Sequence, residues 1–345
     1  MTKGTKAFRI IICILLGLTI LWTAFISYAF IYYSSNAIAE DTYGIYVAGV
    51  AVTRENARDV LGDGTVFYQV SSNSLTFRDA VIDTEYAAVY SLIDLRINLV
   101  GENKFICNGD DAMVAVYASD GILRKDLSFE GDGSLTIEFK DAKVNGTGIV
   151  AEDLWFGADV TITSPNCENI SNGIICTSSM TLRNEASVTV RCGAARSSTA
   201  VSVRGNLVIE NGSNLDVSVA PGATEACNGV CVEGSLLLGS DATLSVVIDD
   251  EVAEESACIN VLGAITVAPE ATVNASAKVV SGVECYASVR LDEGATVNAA
   301  TAGERADIFC YGSLVDYGAT VRGEVAALGG IHREASDGMD SANED

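Results

Sequence analysis

Short apolar alternations recur along this chain with a period of 24 to 29 residues. The first apolar residue of each copy falls at Ile149, Ile174, Val201, Val230, Ile259, Val283 and Ile308, at steps of 25, 27, 29, 29, 24 and 25. In the copy that opens at Ala200, Val201 and Val203 alternate with Ser202, then come Leu207 and Ile209, then Leu215, Val217 and Val219. Arg204-Gly205-Asn206 and Glu210-Asn211-Gly212-Ser213-Asn214 separate them, rich in residues that tolerate left-handed backbone. The pattern predicts three short strands per copy, with no helix-length run.

The spacing repeats from copy to copy. Leu207 to Leu215, Leu236 to Leu244, Ile265 to Val273 and Val289 to Val297 are each eight residues, and Leu314 to Val321 is seven. Period-two side chains place these aliphatics on one side of each strand, and stacking of copies brings equivalent positions into inward ladders. The predicted fold is all-β: a parallel β-helix, a solenoid of about ten turns, preceded by one N-terminal transmembrane or signal helix. The less regular turns include Leu75 and Phe77, Leu95, Ile97 and Leu99, Leu127 and Phe129, and Leu135 and Ile137. Five or so aliphatics per turn at about 1.5 to 3 kcal/mol each yield on the order of 10 kcal/mol before entropy is subtracted, so a lone turn does not fold and the ends need capping. Pro165, Pro221 and Pro269 all fall between predicted strands, where a missing donor does no harm.

Four segments follow: a basic flank with an apolar run at 1–39, a cap with the first strands at 40–84, the coil at 85–330, and an acidic tail without structure at 331–345. Lys3, Lys6 and Arg9 precede an almost uncharged stretch from Ile10 to Tyr33, long enough for the hydrocarbon core of a bilayer. The basic flank keeps the N-terminus cytoplasmic and everything after residue 33 is exported. Two outcomes stay open. Trp22, Tyr28, Tyr32 and Tyr33 suit an outer-leaflet anchor, which makes this a single-pass cell-membrane protein. Ala37-Ile38-Ala39 has the form of a signal-peptidase site, and cleavage after Ala39 makes it a secreted one.

Charge narrows the partners. The exported part holds all 46 Asp and Glu against 18 Lys and Arg, a formal charge of −28. Such a surface repels nucleic acid, which is excluded as a partner. The membrane, through the N-terminal helix, and a cell-surface or dietary glycan are the partners expected. Acidic loops such as Asp249-Asp250-Glu251 and Glu254-Glu255 keep a long coil soluble, and they offer ligands for calcium. No other cofactor is implied.

Ten cysteines occur without a Cys-x-x-Cys pair, so zinc has no motif. Cys176, Cys285 and Cys310 each lie two residues after a repeat anchor, where other copies place Val203, Val232 and Val261, and read as small buried hydrophobes. Cys167 and Cys192 each lie eighteen residues after their anchors in adjacent copies, a spacing that invites a disulfide outside the cell.

Catalytic chemistry is sparse. The single histidine, His332, lies near the C-terminus, which removes Ser-His-Asp and Cys-His mechanisms. Carboxylate chemistry is what survives, but Asp110-Asp111 and Asp249-Asp250 are adjacent in sequence and read as loop tips rather than as a pair on one face.

The outward positions are more suggestive. On the third strand they read Ser187 and Thr189, Thr243 and Ser245, Thr272 and Asn274, Thr296 and Asn298, with Thr320 beyond, a lattice of hydroxyls and amides that suits a repeating glycan or ordered water. On the second strand they read Trp155, Thr181, Val208, Leu237, Thr266, Arg290 and Val315, apolar enough that a covering loop is expected, with Trp155 alternatively stacking on a sugar ring. The candidate ligand-binding residues are therefore Trp155, Thr243, Thr272, Asn274, Thr296 and Asn298, with no catalytic residue.

Residues 44 to 84 include Val47-Ala48-Gly49-Val50-Ala51-Val52-Thr53, Glu55-Asn56-Ala57, Asp59-Val60-Leu61-Gly62-Asp63-Gly64-Thr65-Val66-Phe67-Tyr68, Asn73-Ser74-Leu75-Thr76 and Ala80-Val81-Ile82. This stretch resembles the opening module of uncharacterised surface proteins of gut Gram-positive bacteria, often described as carbohydrate-binding-domain-containing. Their coils look like the right-handed parallel β-helix of the pectate-lyase-like superfamily. The resemblance implies glycan contact and carries over no catalytic motif. Read from its residues alone, the stretch predicts a short helical piece from Thr53 to Leu61 stopped by Gly62, then a turn at Asp63-Gly64 into the first strand, together serving as a cap.

The expectation is a non-catalytic extracellular protein that binds carbohydrate or another cell-surface ligand through an outer face. A polysaccharide lyase or glycoside hydrolase using carboxylates, with or without calcium, is the first alternative. A structural spacer or adhesin is the second.

Overall fold

The computed structural model describes residues 42–333, except 110–111, 141–143, 165, 223–224, 250–256, 279–280 and 303–305. The expected transmembrane or signal helix, the acid pair Asp110-Asp111, the loop acids Asp250, Glu251, Glu254 and Glu255, Pro165, and the tail from residue 334 lie outside the described residues. Among the described residues no helix is long and apolar enough to cross a membrane.

Residues 43–345 cluster into one compact unit, and its described part is a parallel β-solenoid. Three sheets run its length, of twelve, twelve and ten strands, built from every third strand of the chain except at the N-terminal end, where consecutive strands pair in the first and second sheets. The seven repeat anchors form one ladder in the first sheet: Ile149 pairs with Ile174, Ile174 with Val201, Val201 with Val230, Val230 with Ile259, Ile259 with Val283 and Val283 with Ile308. Leu207, Leu236, Ile265, Val289 and Leu314 stack in the second sheet. Leu215, Leu244, Val273, Val297 and Val321 stack in the third. Apart from the partly buried Val321, these side chains are buried and share one continuous apolar core.

The ten-stranded third sheet has eight inner strands, each with parallel neighbours on both sides. Regular turns are thus about eight rather than about ten. The outer turns are different because they end the stack. At the N-terminal end Thr42–Val47 runs antiparallel to Val89–Ser91, and Val66–Gln69 runs antiparallel to Ser74–Arg78. The piece expected as helix from Thr53 to Leu61 is a series of turns instead. The reciprocal Thr53–Asn56 bonds and the Ala57 N–H to Thr53 O bond form a first turn, but the Ala57 carbonyl accepts from Tyr68 N–H on the returning chain and the turn is not continued as helix. Val60 N–H then donates to Val66 O, outside any helical pattern.

The corner between the first and second sheets has its own ladder. The side-chain oxygens of Asp94, Asp126, Asp153, Ser179, Asn206 and Ser235 each accept from the backbone N–H one turn on, at 2.8 to 3.4 Å. Corner donors that face away from the sheets are satisfied this way.

None of the nine cysteines from Cys107 onward is in a disulfide, and all but Cys231 are buried. Cys176, Cys285 and Cys310 fill inward positions as the repeat implies. The expected Cys167–Cys192 bridge does not form. The register places Arg191 over Thr163, so Ser164 rather than Cys167 lies beneath Cys192, and Cys167 joins the loop where its N–H donates to Ala194 O.

Candidate functional site

Strand alternation gives each sheet one inward and one outward face, so a candidate site is a set of columns on one outer face. On the third sheet, Asn214, Thr243, Thr272, Thr296 and Thr320 stand in register, with Asp216, Ser245, Asn274, Asn298 and Arg322 in the next column. Most are partly exposed, and Thr320 and Arg322 are open to solvent. Asn274 Nδ2 donates to Ser245 Oγ at 3.2 Å and Asn298 Nδ2 donates to Asn274 Oδ1 at 2.9 Å. These bonds fix which edge of each amide faces along the axis, and Asn298 Oδ1 is left without a hydrogen-bond partner.

Trp155 belongs to a different face. It lies in the second sheet between Ser128 and Thr181, two small side chains, and is partly exposed. Beside it, Glu130 holds Arg96 at 3.4 Å and Arg183 at 2.8 Å, an ionic strap across three turns. Arg183 passes beside Gly157, where a Cβ would meet its Nε at an ordinary contact distance of 3.7 Å and Asn184 Nδ2 more tightly at 3.1 Å. The six candidate residues therefore do not converge. Five share the third sheet, and Trp155 stands alone on the second.

The apolar second-sheet column exists in register from Trp155 through Val315. It is not covered, since Leu237 is 42% exposed and Arg290 is exposed. The longest connections, such as Val219 to Ala226 and Ile248 to Ala257, join the third sheet to the first.

The covered outer face is the first sheet's. Tyr46, Tyr90, Tyr117, Val150 and Ile175 point outward there and are nonetheless buried. Tyr90 and Tyr117 stack at 5.5 Å, and Arg124 lies 5.0 Å over the Tyr117 ring. Farther along the same sheet Glu284, Tyr286, Phe309 and Tyr311 gather. Tyr286 and Tyr311 stack at 4.6 Å, Phe309 meets Tyr311 edge-on at 4.9 Å, and the Tyr311 hydroxyl donates to Glu284 Oε1 at 3.5 Å. Burial first, and then the Glu284 charge, pushes the Tyr286 hydroxyl above its usual range. This cluster escapes a reading by inward ladders. Its signal is the 25-residue step between Tyr286 and Tyr311, the same as the local period.

Chemistry for catalysis is not gathered on any of these faces. Among the described residues no group of three His, Cys, Asp or Glu is placed to hold a metal ion, and His332 is exposed in the last strand of the second sheet. A narrow cavity of about 20 Å3 lies among Ile259, Val267, Val283 and Leu291 in the apolar core, not on an outer face. No family model, no curated protein and no solved structure matches the chain.

Proposed function

We propose that this protein is a non-catalytic extracellular binding scaffold, anchored or exported by its N-terminal segment, whose third-sheet face engages carbohydrate. Its coil is right-handed and pectate-lyase-like in this reading. The observation that supports it is the paired Thr243, Thr272, Thr296 and Ser245, Asn274, Asn298 columns. Hydroxyls and amides repeat there at about 4.8 Å along the axis, and the Asn298-to-Asn274 and Asn274-to-Ser245 bonds hold the two amides in one orientation before a ligand arrives. Pre-ordered donors and acceptors lower the ordering cost of binding an extended polymer.

A glycan array probed with the purified protein tests the reading. Binding of at least one polysaccharide class is expected, with the Asn274→Ala/Asn298→Ala variant losing tenfold or more in affinity at an unchanged melting temperature. Trp155→Ala, on the other face, leaves that binding intact. An array without hits, or hits indifferent to the amide pair, removes the proposal.

A further inference from the structure

Of the nine cysteines among the described residues, Cys285 and Cys310 stand directly opposite one another in adjacent strands of the first sheet. Both point inward and both are 0% exposed. Each thiol reaches the corner after its own strand and the corner one turn earlier: Cys285 Sγ lies 3.7 Å from Ser288 O and 3.4 Å from Gly263 O, Cys310 Sγ 3.6 Å from Ser313 O and 3.0 Å from Ala287 O. The two side chains therefore lean the same way in the same column. In-register parallel neighbours are about 4.8 Å apart, within the Cα range of a disulfide. No other cysteine is so placed: Cys107 faces Phe139, Cys192 faces Val219, and Cys227 faces Ser198.

We propose that Cys285 and Cys310 are an oxidative cross-linking site that staples two adjacent turns near the C-terminal end of the solenoid. The co-reactant is a small-molecule disulfide. The thiolate of one cysteine attacks it, forming a mixed disulfide and releasing one thiol. The second cysteine, deprotonated in turn, attacks the protein sulfur, closes the Cys285–Cys310 bond and releases the other thiol. Two protein thiols are oxidised and one external disulfide is reduced. The bond closes a loop of about 25 residues, a length at which a cross-link constrains the unfolded chain appreciably.

Access sets the rate. Burial pushes the Cys285 thiol up to about 12, so the closed protein offers almost no thiolate and reaction waits on opening of the last turn. That turn is lightly packed: no residue of Thr320–Arg322, Val325–Ala327 or Ile331–Arg333 is buried.

The test incubates the full chain with oxidised glutathione, blocks remaining thiols with N-ethylmaleimide under denaturing conditions, and maps peptides by mass spectrometry. The expected product is a peptide pair joined through Cys285 and Cys310, with two thiols lost per chain and the other cysteines alkylated. Cys310→Val, which copies the valines at 203, 232 and 261 and so preserves packing, abolishes the pair and leaves Cys285 alkylated. Cys176→Val, in the same column but without a cysteine neighbour, leaves it unchanged. Full alkylation of both cysteines, a product that stops at the glutathione adduct, or a link between other cysteines overturns the proposal.

Discussion

At the scale of single residues, the corner between the first and second sheets is where an ordinary-looking aspartate carries a cost. Asp94, Asp126 and Asp153 succeed one another along the corner ladder, each accepting a backbone N–H. Burial first, and then the charges of Asp94 and Asp153, pushes the Asp126 carboxyl above its usual range, against the Asp153 N–H that lowers it. A raised folded-state pKa means that the folded protein prefers the protonated form, so ionisation at neutral pH lowers stability and protonation restores it. Asn206 holds the equivalent place farther along and accepts the same bond from Ser235 N–H at 2.9 Å. Asp126→Asn therefore keeps the acceptor and removes the charge. At pH 7 the variant should be more stable by about 0.2 to 1 kcal/mol, the scale of solvent-screened charge pairs. The difference should shrink as pH falls through the raised pKa toward about 4. Denaturant midpoints measured across that range decide it; a variant less stable at pH 7 contradicts the account. The sequence shows such aspartates as turn residues, and only the register shows that three of them line up.

At the scale of elements, packing across the corner between the third and first sheets leaves little room at three first-sheet glycines. An ideal Cβ on Gly148 would lie 2.5 Å from Ile162 Cγ2, on Gly173 2.1 Å from Val190 Cγ1, and on Gly229 2.2 Å from Val246 Cγ1. Where the first-sheet position enlarges to Cys258, the third-sheet column that runs Val190, Val217, Val246 shrinks to Ala275. The exchange is local and not strict, since Ala115 stands in the same turn as Ile137 and Ala200 in the same turn as Val217. Gly229→Ala alone should cost about 1 to 3 kcal/mol through overpacking. Combined with Val246→Ala it should cost at least about 1 kcal/mol less than the sum of the two single changes. Strict additivity would assign the glycine requirement to the Cys258 carbonyl oxygen, 2.5 Å from the same ideal Cβ. Strands and register were legible in the sequence because alternation at Val201, Ser202 and Val203 states a face directly. The turns after Thr53 were not, because the Ala57 carbonyl and the Val60 N–H bond to Tyr68 and Val66 farther along the chain, contacts that no local pattern states. Nor was the buried outer face of the first sheet, because Tyr90 and Tyr117 sit at positions where alternation predicts solvent. The Thr and Asn columns were legible as columns, whereas their separation from Trp155 onto another sheet needed the three-sided section of the coil.

At the scale of the whole solenoid, contacts are to nearest neighbours, so stability depends on how each end is closed. Repetition made the middle readable and left the ends dark, since a cap copies nothing. The structure shows the two ends of the described coil to be unequal. At the N-terminal end antiparallel strands bring Val47, Val52 and Val66 to full burial, and Phe77, Phe105, Phe129 and Phe156 fill the turns behind them. Phe77 meets Phe105 at 5.0 Å and Phe129 stacks on Phe156 at 5.2 Å. Toward the other end the core thins to Ala275 and Ala299, a cavity opens beside Val267, and Leu328 and Ile331 are 69% and 43% exposed. Larger buried side chains exclude more apolar surface from water, so each N-terminal turn contributes more to its neighbours than each C-terminal one. Opening should therefore begin at the C-terminal turns and travel inward. Hydrogen exchange followed by mass spectrometry should find the amides of 314–333 exchanging first, those near Val283 and Ile308 next, and those near Phe105, Phe129 and Ile149 last, at rates approaching global unfolding. Adding oxidised glutathione should slow the middle group selectively if the Cys285–Cys310 staple forms, because the staple ties together the two turns through which opening must pass. Uniform protection along the coil, or loss beginning at the antiparallel hairpins, would show that the ends are not the weak points and that the solenoid unfolds as one cooperative body.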